Sequence, residues 1–302
     1  MDIPSLTAFL TVAECGSFSL AAEQLHLTQP AVSKRIASLE QQLGTPLFDR
    51  KKFDRKKFDR KNSASRRTHL NEAGRTLLPR ARQMLELMKD TRQQINNLKT
   101  QIKGPLSLAT SHHIGLRRLP DILKTFARTY PDVTLDIRFV DSEAAYELLH
   151  RGEVELGVIT LAPGNPENVL SRQLWNDPLV FMACREHPLA QIKKQVSPEV
   201  LCQYQAVLPG ASTFTYRLVQ NLFDQQGLTL QTAMSSNYLE TIRMLTAIGI
   251  AWSILPKSML GDDLTELRTS FQPPVRELGY IRHEHRTLSN AARAFLELLD
   301  NT

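Results

Sequence analysis

Apolar residues near the start of the chain recur at helical spacing in three short runs. The first run carries apolar residues at Leu6, Phe9, Leu10 and Ala13. Ser5 is suited to cap it, because serine side chains accept hydrogen bonds from the free N–H groups of a helix start. A second run begins at Ser19, and a third follows Thr28 and ends at Gly44. The pattern predicts three helices, with a very short turn between the second and the third.

The third run, QPAVSKRIASLEQQLG, is apolar on one face and polar on the other. Such a helix after a short turn is typical of a helix-turn-helix, although a plain three-helix bundle has the same pattern. Gln, Lys and Arg side chains can read base edges in the major groove, and Ser and Lys can hold phosphates. The residues expected to contact DNA here are Ser19, Thr28, Gln29, Pro30, Ser33, Lys34 and Arg35.

A longer helical pattern begins at Asn71 and ends at Gly104-Pro105. Its apolar seam alternates spacings of four and three residues and consists of Leu77, Ala81, Met84, Met88, Thr91, Ile95, Leu98 and Ile102. A heptad seam either packs on its own domain or pairs with the same helix of a second subunit. The polar residues beside the seam favour pairing, so we expect this linker helix to form a dimer.

Beyond residue 104, strand-like and helix-like segments alternate along the chain. The first cycle reads PLSLATS, IGLRRLPDILKTFARTY, VTLDIRFVDS, SEAAYELLHRG and VELGVIT, and a second cycle begins at LVFMACRE. Repeated strand–helix–strand units predict parallel sheets covered by helices. The whole resembles the two Rossmann-like lobes of a periplasmic binding protein, with crossover strands near residues 161–170 and 264–276.

Hydroxyl and imidazole side chains follow several of these predicted strands. In such sheets ligands bind beyond the carboxyl ends of the strands, at helix N-termini. The residues expected to contact a ligand are Thr110, Ser111, His112, His113, Asp141, Thr160, Ser212, Thr213 and Ser236. Helix starts rich in N–H donors suit a small anion, such as a carboxylate or an oxyanion. Serine and threonine at these places are as often simple helix caps, and the paired histidines lack the neighbouring Cys or carboxylate of a metal site.

Composition and cysteine content indicate the cellular compartment. The 302-residue chain is 42% hydrophobic and 23% charged, which is ordinary for a globular protein. Three scattered cysteines without a CxxC pair argue against a disulfide framework or a zinc site and fit the cytoplasm. The sequence has no run of about 18 apolar residues and no basic secretory leader, so no membrane span is expected.

The positive charge is concentrated in one block. Residues 50–67 hold ten Lys or Arg and two Asp, a net charge of +8, whereas the whole chain has +6. A local basic block on an otherwise balanced chain indicates contact with a polyanion, although a solvated basic loop has the same composition. The block contains a tandem repeat, FDRKK at 48–52 and 53–57, followed by FDRK at 58–61.

The run AAEQLHLTQPAVSKRIASLEQQLGTPLFDR resembles the signature of the LysR-type transcriptional regulators. In that family a short basic wing follows Leu-Phe-x-Arg and closes with Leu-Thr-x-Ala-Gly; here Asn71 replaces that Thr, and two extra repeat copies lengthen the wing. The resemblance implies that the wing contacts DNA, and the candidates are Arg50, Lys51, Lys52, Arg66 and Arg67. Of the three repeated phenylalanines, Phe48 is expected to pack under the helices.

The resemblance also implies partners and a mechanism. Ser111, Thr160 and the Ser212–Thr213 region match effector-contacting positions of the family. The expected partners are double-stranded DNA, a second copy through the linker helix, further copies in a tetramer, RNA polymerase and a small-molecule effector. No cofactor is expected.

The predicted fold class is α/β, with an N-terminal winged helix-turn-helix, a long linker helix and a C-terminal periplasmic-binding-protein-like domain of two Rossmann-like lobes. The predicted bounds are 1–70, 71–103 and 104–302. Within the last domain, lobe I takes about 104–162 and 275–302, and lobe II about 163–274.

Two rival functions have weaker support in the sequence. An enzyme is not favoured, because the chain has no GxSxG elbow, P-loop, HExxH motif or glycine-rich dinucleotide fingerprint. No catalytic or metal-binding residues are therefore predicted. A ligand-independent architectural DNA-binding protein fits the basic block, but it has no use for an α/β domain of about 200 residues.

Overall fold

The computed structural model of the chain describes residues 1–49, 68–99, 101–164 and 166–301. These residues form two compact units, Met1–Ile95 and Asn96–Thr302. The fold class predicted from the sequence is confirmed: a helical N-terminal unit precedes a larger unit of mixed strands and helices.

Three helices open the N-terminal unit: α1 (Ile3–Cys15), α2 (Phe18–Gln24) and α3 (Gln29–Leu43). The first cap differs from the prediction, because Asp2 rather than Ser5 accepts the hydrogen bond and Ser5 supplies the donating N–H. α2 begins one residue earlier than expected, since Ser17 is its cap. Thr28 caps α3 as predicted, and Gly44 ends it in the left-handed conformation, with φ 69°.

The core of this unit includes the first phenylalanine of the repeat. Phe48 is 5% exposed, and its ring lies 5.7 Å from that of Phe9 and 5.5 Å from that of Phe18. An antiparallel bridge joins Phe48 to Leu70, so the two arms of the predicted wing meet at its base. The prediction that Phe48 packs under the helices is confirmed.

The linker helix, α4, runs from Glu72 to Asn97. The Asn71 side chain accepts the Gly74 N–H at 2.9 Å, which is the capping role expected of the residue that replaces threonine. The first half of the seam, including Leu77, Ala81 and Met84, packs into the core of the N-terminal unit. Exposed apolar side chains follow, namely Leu87, Met88 and Ile95. The helix ends at Asn97 rather than at residue 103, so the last two seam residues lie beyond it: Leu98 is exposed, and Ile102 packs against the core of lobe I.

The C-terminal unit alternates strands and helices. Its strands are β1 (Gly104–Thr110), β2 (Val133–Phe139), β3 (Leu156–Thr160), β4 (Val169–Cys184), β5 (Ala206–Leu208), β6 (Thr232–Ser235), β7 (Ser253–Pro256), β8 (Leu264–Glu266) and β9 (Val275–His283). Its helices are α5 (His112–Arg117), α6 (Pro120–Thr129), α7 (Ser142–His150), α8 (Pro198–Leu201), α9 (Phe214–Asp224), α10 (Leu239–Ala247) and α11 (Asn290–Asp300). Two short 3-10 turns occupy Pro188–Gln191 and Lys257–Met259.

One predicted helix is divided in the structure. The segment IGLRRLPDILKTFARTY forms α5 and α6 with a break at Arg118 and Leu119. Pro120 begins α6, because proline has no N–H to continue a preceding helix but fits the first position of a new one.

The sheet of lobe I has the order β2-β1-β3-β9-β4. β1 pairs in parallel with β2 and β3, whereas β9 is antiparallel to both β3 and β4. β4 continues into lobe II, where residues from Leu179 onward pair with β7 and β8. The parallel pair β5–β6 joins β7 through a bridge from Ala206 to Trp252.

The first crossing between the lobes lies later than the sequence predicted. Val169 to Pro178 still pair with β9, so lobe II begins near Leu179 rather than at residues 161–170. The difference arises because β4 is one 16-residue strand that belongs to both lobes.

Each lobe has its own apolar core. Leu108, Phe126 and Phe295 are fully buried in lobe I, as are Phe181, Phe223 and Trp252 in lobe II. The Trp252 indole N–H is shared between the Leu201 and Tyr204 carbonyls at 3.1 Å, so the polar atom of this core residue is satisfied.

Within the described ranges, no single helix is long and apolar enough to cross a bilayer. α1 and α2 pass the test of length and composition only as a pair bent by 120°. Their apolar side chains lie in the core of the N-terminal unit.

Candidate functional site

The exposed face of α3 presents the side chains that the sequence assigned to DNA. Lys34 is exposed, while Ser33 and Arg35 are half-buried. The Gln29 amide donates to the Ser33 hydroxyl at 2.9 Å, so that these two side chains are held side by side on one turn. Val32, Ile36 and Leu39 point into the core and fix the orientation of that face.

The start of α3 is fixed by its cap. The Thr28 hydroxyl accepts the Ala31 N–H at 3.4 Å, and Pro30 lies in the first turn, where no N–H is required. Ser19 is exposed in the first turn of α2. Between the two helices His26 adopts a positive φ of 52°, which makes the sharp turn that a helix-turn-helix needs.

The remaining DNA candidates, Arg50, Lys51, Lys52, Arg66 and Arg67, lie outside the described residues, as does most of the repeat.

The ligand candidates of the C-terminal unit gather at a cleft between its two lobes. The cleft encloses a cavity of about 50 Å³. It is small compared with the roughly 300–1,000 Å³ of typical ligand pockets. Six of the nine predicted residues line it, namely Ser111, His112, His113, Asp141, Thr160 and Thr213.

Three predicted residues do not line the cavity. The Thr110 hydroxyl is buried and donates to the Val158 carbonyl at 2.7 Å, so it holds β1 to β3. Ser212 is exposed, and the Ser236 hydroxyl accepts the Tyr238 N–H in its own turn. The sequence located the strand ends correctly, but it did not show where these side chains point.

The helix starts at the cleft differ in whether the cap residue makes a side-chain capping bond. Thr213 caps α9, because its hydroxyl accepts the Tyr216 N–H at 3.1 Å. Ser111 and Asp141 occupy the cap positions of α5 and α7 without making a side-chain capping bond. Ser111 and Asp141 therefore have side chains that are not committed to their own helices.

The two histidines face a carboxylate of lobe II that the sequence analysis missed. His113 is buried, with its Nδ1 3.4 Å from Glu240 Oε1. His112 Nδ1 lies 3.8 Å from Glu240 Oε2, and both of these atoms are buried without a hydrogen bond. Burial lowers the pKa of His113, and the nearby Arg276 guanidinium lowers it further.

A second missed feature is a buried ion pair that joins the two crossing strands. Arg276 of β9 donates from Nε to Asp177 Oδ2 of β4 at 3.0 Å, and its Nη1 lies 3.3 Å from the Thr215 hydroxyl. Asp177 is 2% exposed and Arg276 4%. Asp177 and Arg276 face each other in the register of β4 and β9, a pairing that no local pattern in the sequence predicts.

Two acidic side chains of lobe I reach residues of lobe II across the cleft. Asp141 accepts a hydrogen bond of 2.6 Å from the Asn237 amide, whose oxygen accepts the Gly210 N–H. Glu143 accepts the Phe214 N–H at the start of α9. Among the residues that the structure describes, no three His, Cys, Asp or Glu side chains are arranged to hold a metal ion.

Comparison with known families gives two matches that together span nearly the whole chain. Residues 99–302 match the LysR substrate binding domain. Residues 3–55 match the bacterial regulatory helix-turn-helix protein, lysR family.

Individual relatives are named transcriptional regulators. An uncharacterized HTH-type transcriptional regulator of Azotobacter vinelandii is 58% identical over 120 residues, 40% of this chain and 74% of that protein. The HTH-type transcriptional activator CmpR of Synechocystis is 27% identical over 296 residues, which cover 96% of this chain and 92% of CmpR.

Solved structures show the same fold. A variant of full-length OxyR from Pseudomonas aeruginosa has a TM-score of 0.66 at 24% identity, covering 100% of this chain and 94% of that one. Full-length CbnR in complex with its target DNA has a TM-score of 0.59 at 23% identity, covering 100% and 99%.

Proposed function

The chain belongs to the LysR family of DNA-binding transcriptional regulators, whose activity an effector modulates, and we propose that its effector is a small anion bound in the cleft of the C-terminal unit. The observation that carries the proposal is the convergence of Ser111, Thr160 and Arg276 on one cavity. The family is one of regulators, and we propose no catalytic role for this cleft.

Sequence recognition is assigned to the exposed face of α3. Gln29 and Lys34 have the chemistry for base edges and phosphates, and Arg35 and Ser33 stand beside them. Ser19, Thr28 and Pro30 are placed at the helix starts, where backbone N–H groups approach phosphates. The basic block, with Arg50 as its first residue, adds contacts that release counterions and steepen the salt dependence of binding.

Binding of the effector is assigned to groups that can hold an anion. Ser111 has a hydroxyl that makes no capping bond, and Arg276 supplies a buried guanidinium whose charge Asp177 balances. Burial lowers the pKa of His113, which favours the neutral ring. A neutral imidazole has one nitrogen that accepts a hydrogen bond and one N–H that donates, so it can serve a ligand in either role. Because the cavity is small, we propose that the lobes move apart when an organic anion enters.

A dimer is proposed through α4, because its exposed apolar side chains continue the heptad seam beyond the N-terminal core. Met88 is 41% exposed and Ile95 59%. A dimer presents two copies of α3 to a two-fold symmetric site. Further pairing into a tetramer, contact with RNA polymerase and a cytoplasmic location follow from the family and belong to the same proposal.

The proposal is tested by thermal unfolding of the full chain with a panel of small carboxylates and oxyanions. A true effector at about 100 times its Kd stabilises the folded state by about 2.7 kcal/mol, which raises Tm by roughly 5–10 °C. Ser111→Ala and Thr160→Ala are expected to abolish that rise, whereas Glu147→Ala, on the exposed face of α7, is expected to keep it.

A mobility-shift assay on the same variants separates the two roles. Ser111→Ala and Thr160→Ala are expected to bind DNA as the parent chain does but to lose the ligand-dependent change. Loss of DNA binding by these variants contradicts the separation of roles. A chain whose Tm and DNA binding respond to no anion contradicts the proposed effector class.

A further inference from the structure

Glu143 places a carboxylate where α9 begins. Glu143 lies in the first turn of α7 in lobe I, and its Oε1 accepts the Phe214 N–H at the first position of α9 in lobe II. Both residues line the cleft. A side chain of one lobe thus makes a charged hydrogen bond to the backbone of the other.

The Phe214 N–H is a group that an external anion also fits. The first N–H groups of a helix have no partner within the helix and attract negative charge. In α9 the Thr213 cap accepts the Tyr216 N–H, and it leaves the Phe214 N–H to Glu143. The neighbouring Thr215 hydroxyl contacts the buried Arg276 guanidinium, so the Arg276–Asp177 ion pair lies beside this helix start.

A second contact from α7 reaches the same residue. The Tyr146 ring lies 5.8 Å from the Phe214 ring in an edge-on arrangement, one helical turn after Glu143. Glu143 and Tyr146 therefore both contact Phe214, the first residue of α9, from α7 of lobe I. With these contacts in place the cavity measures only about 50 Å³.

We propose that Glu143 is an internal anion that occupies the α9 helix start while the cleft is empty, and that the carboxylate or oxyanion of the effector displaces it. The inference rests on the proposed effector cleft and adds the residue that sets its affinity. Displacement of Glu143 removes one of the contacts that hold α7 to lobe II, beside Asp141–Asn237 and Tyr146–Phe214, so the exchange of one anion for another couples ligand binding to the separation of the lobes.

Hydrogen exchange of the Phe214 amide in the full chain tests the first half of the proposal without any ligand. Glu143→Ala removes the only acceptor assigned to this N–H among the described residues, so its exchange is expected to become about tenfold faster. Glu143→Gln keeps a neutral acceptor and is expected to give an intermediate rate. Glu147→Ala is the matched control, because Glu147 lies one turn later on α7 and contacts Arg151 instead.

Acetate and sulfate, at constant ionic strength, test the second half. Either anion is expected to slow the Phe214 exchange of Glu143→Ala at concentrations that leave the parent chain and Glu147→Ala unchanged. Exchange that is equal in Glu143→Ala and the parent overturns the proposal. It is also overturned if neither anion protects Glu143→Ala, or if both protect the parent equally well.

These outcomes are independent of the effector panel. The proposed function fails when no small anion alters Tm or DNA binding. The role of Glu143 is decided instead by the exchange rate of the Phe214 amide and its response to acetate and sulfate.

Discussion

Gly74 illustrates how a single residue fixes the junction between the helix-turn-helix and α4. A β-carbon at this position would lie 2.1 Å from the Leu47 carbonyl oxygen, a backbone atom that cannot turn aside. The Asn71 cap places Gly74 there, because its oxygen accepts the Gly74 N–H. Glycine is thus required by close approach, although the helix interior generally disfavours it.

Gly74→Ala is therefore expected to destabilise the N-terminal unit by about 2 kcal/mol, since overpacking outweighs the better helix propensity of alanine. Thermal unfolding followed by circular dichroism measures the change. Thr76→Ala, at an exposed position of the same helix, is the control and is expected to change stability by less than about 0.5 kcal/mol. Equal stability of the Gly74 variant and the parent would show that α4 can move away from Leu47.

His113 links stability to pH at the residue scale. Burial, followed by the Arg276 charge, lowers its pKa below the ordinary 6.5, whereas Asp177 and Glu240 oppose the shift. As pH falls, the unfolded chain binds the proton first, so stability that is present above pH 6.5 is lost as pH falls through the folded pKa. Burial lowers the pKa of His187 in the same direction.

Urea unfolding at about pH 7.5, 6.5 and 5.5 measures this dependence. The unfolding free energy of the C-terminal unit is expected to fall with acidification, and His113→Gln and His187→Gln are each expected to flatten part of the slope. An unchanged slope in His113→Gln would mean that His113 takes up its proton equally well in the folded state.

At the scale of elements, α4 has two different halves. Its first turns complete the core of the N-terminal unit, while Met88 and Ile95 are exposed farther along. Exposed apolar residues in a heptad pattern are the usual sign of a partner helix.

Ile95→Asp is therefore expected to lower the apparent mass of the full chain in sedimentation experiments from dimer or tetramer toward monomer, because a charge in the seam is costly to bury. Asn96→Asp introduces the same residue at the next position, off the seam, and is expected to leave the mass unchanged. A parent chain that is monomeric at micromolar concentration would contradict the proposed pairing.

Elements were also the scale at which the sequence was most informative. Each predicted strand of the C-terminal unit is present, because alternation and turn residues are local signals. The division of α5 from α6 by Pro120 and the length of β4 were missed. The division was missed because a proline can lie within the bend of one helix or begin a new one, and Pro120 begins α6. The length of β4 was missed because it depends on pairing with β9, which lies about 100 residues later in the chain.

The site was less predictable for the same reason. Ser111 and Thr160 follow from strand ends, which are local. The contacts Glu143–Phe214, Asp141–Asn237 and Asp177–Arg276 join residues 71, 96 and 99 positions apart. The packing of the two lobes brings the first two together, and the pairing of β4 with β9 brings the third. Sequence periodicity contains no information on such pairings.

At the scale of the whole molecule, the chain combines a DNA-reading unit with a ligand-binding unit. A ligand shifts such a protein only if it binds one arrangement more tightly than another. The small cavity is suited to this condition, because a large anion fits better when the lobes are farther apart. An architectural DNA-binding protein has neither a sequence preference nor a response to ligand.

The most direct measurement is the ratio of affinities of the full chain for its best site, selected from random duplex DNA, and for a scrambled duplex at physiological salt. We expect a preference of at least about a thousandfold. Gln29→Ala is expected to lower the free-energy difference between the two duplexes by about 1–3 kcal/mol. Lys34→Ala is expected to weaken binding to both duplexes and to lower by about one the slope of log affinity against log salt concentration. Lys124→Ala, which removes the same charge from the C-terminal unit, is expected to change neither. Equal binding to both duplexes, with no effect of Gln29→Ala, would contradict sequence-specific regulation and favour the architectural alternative.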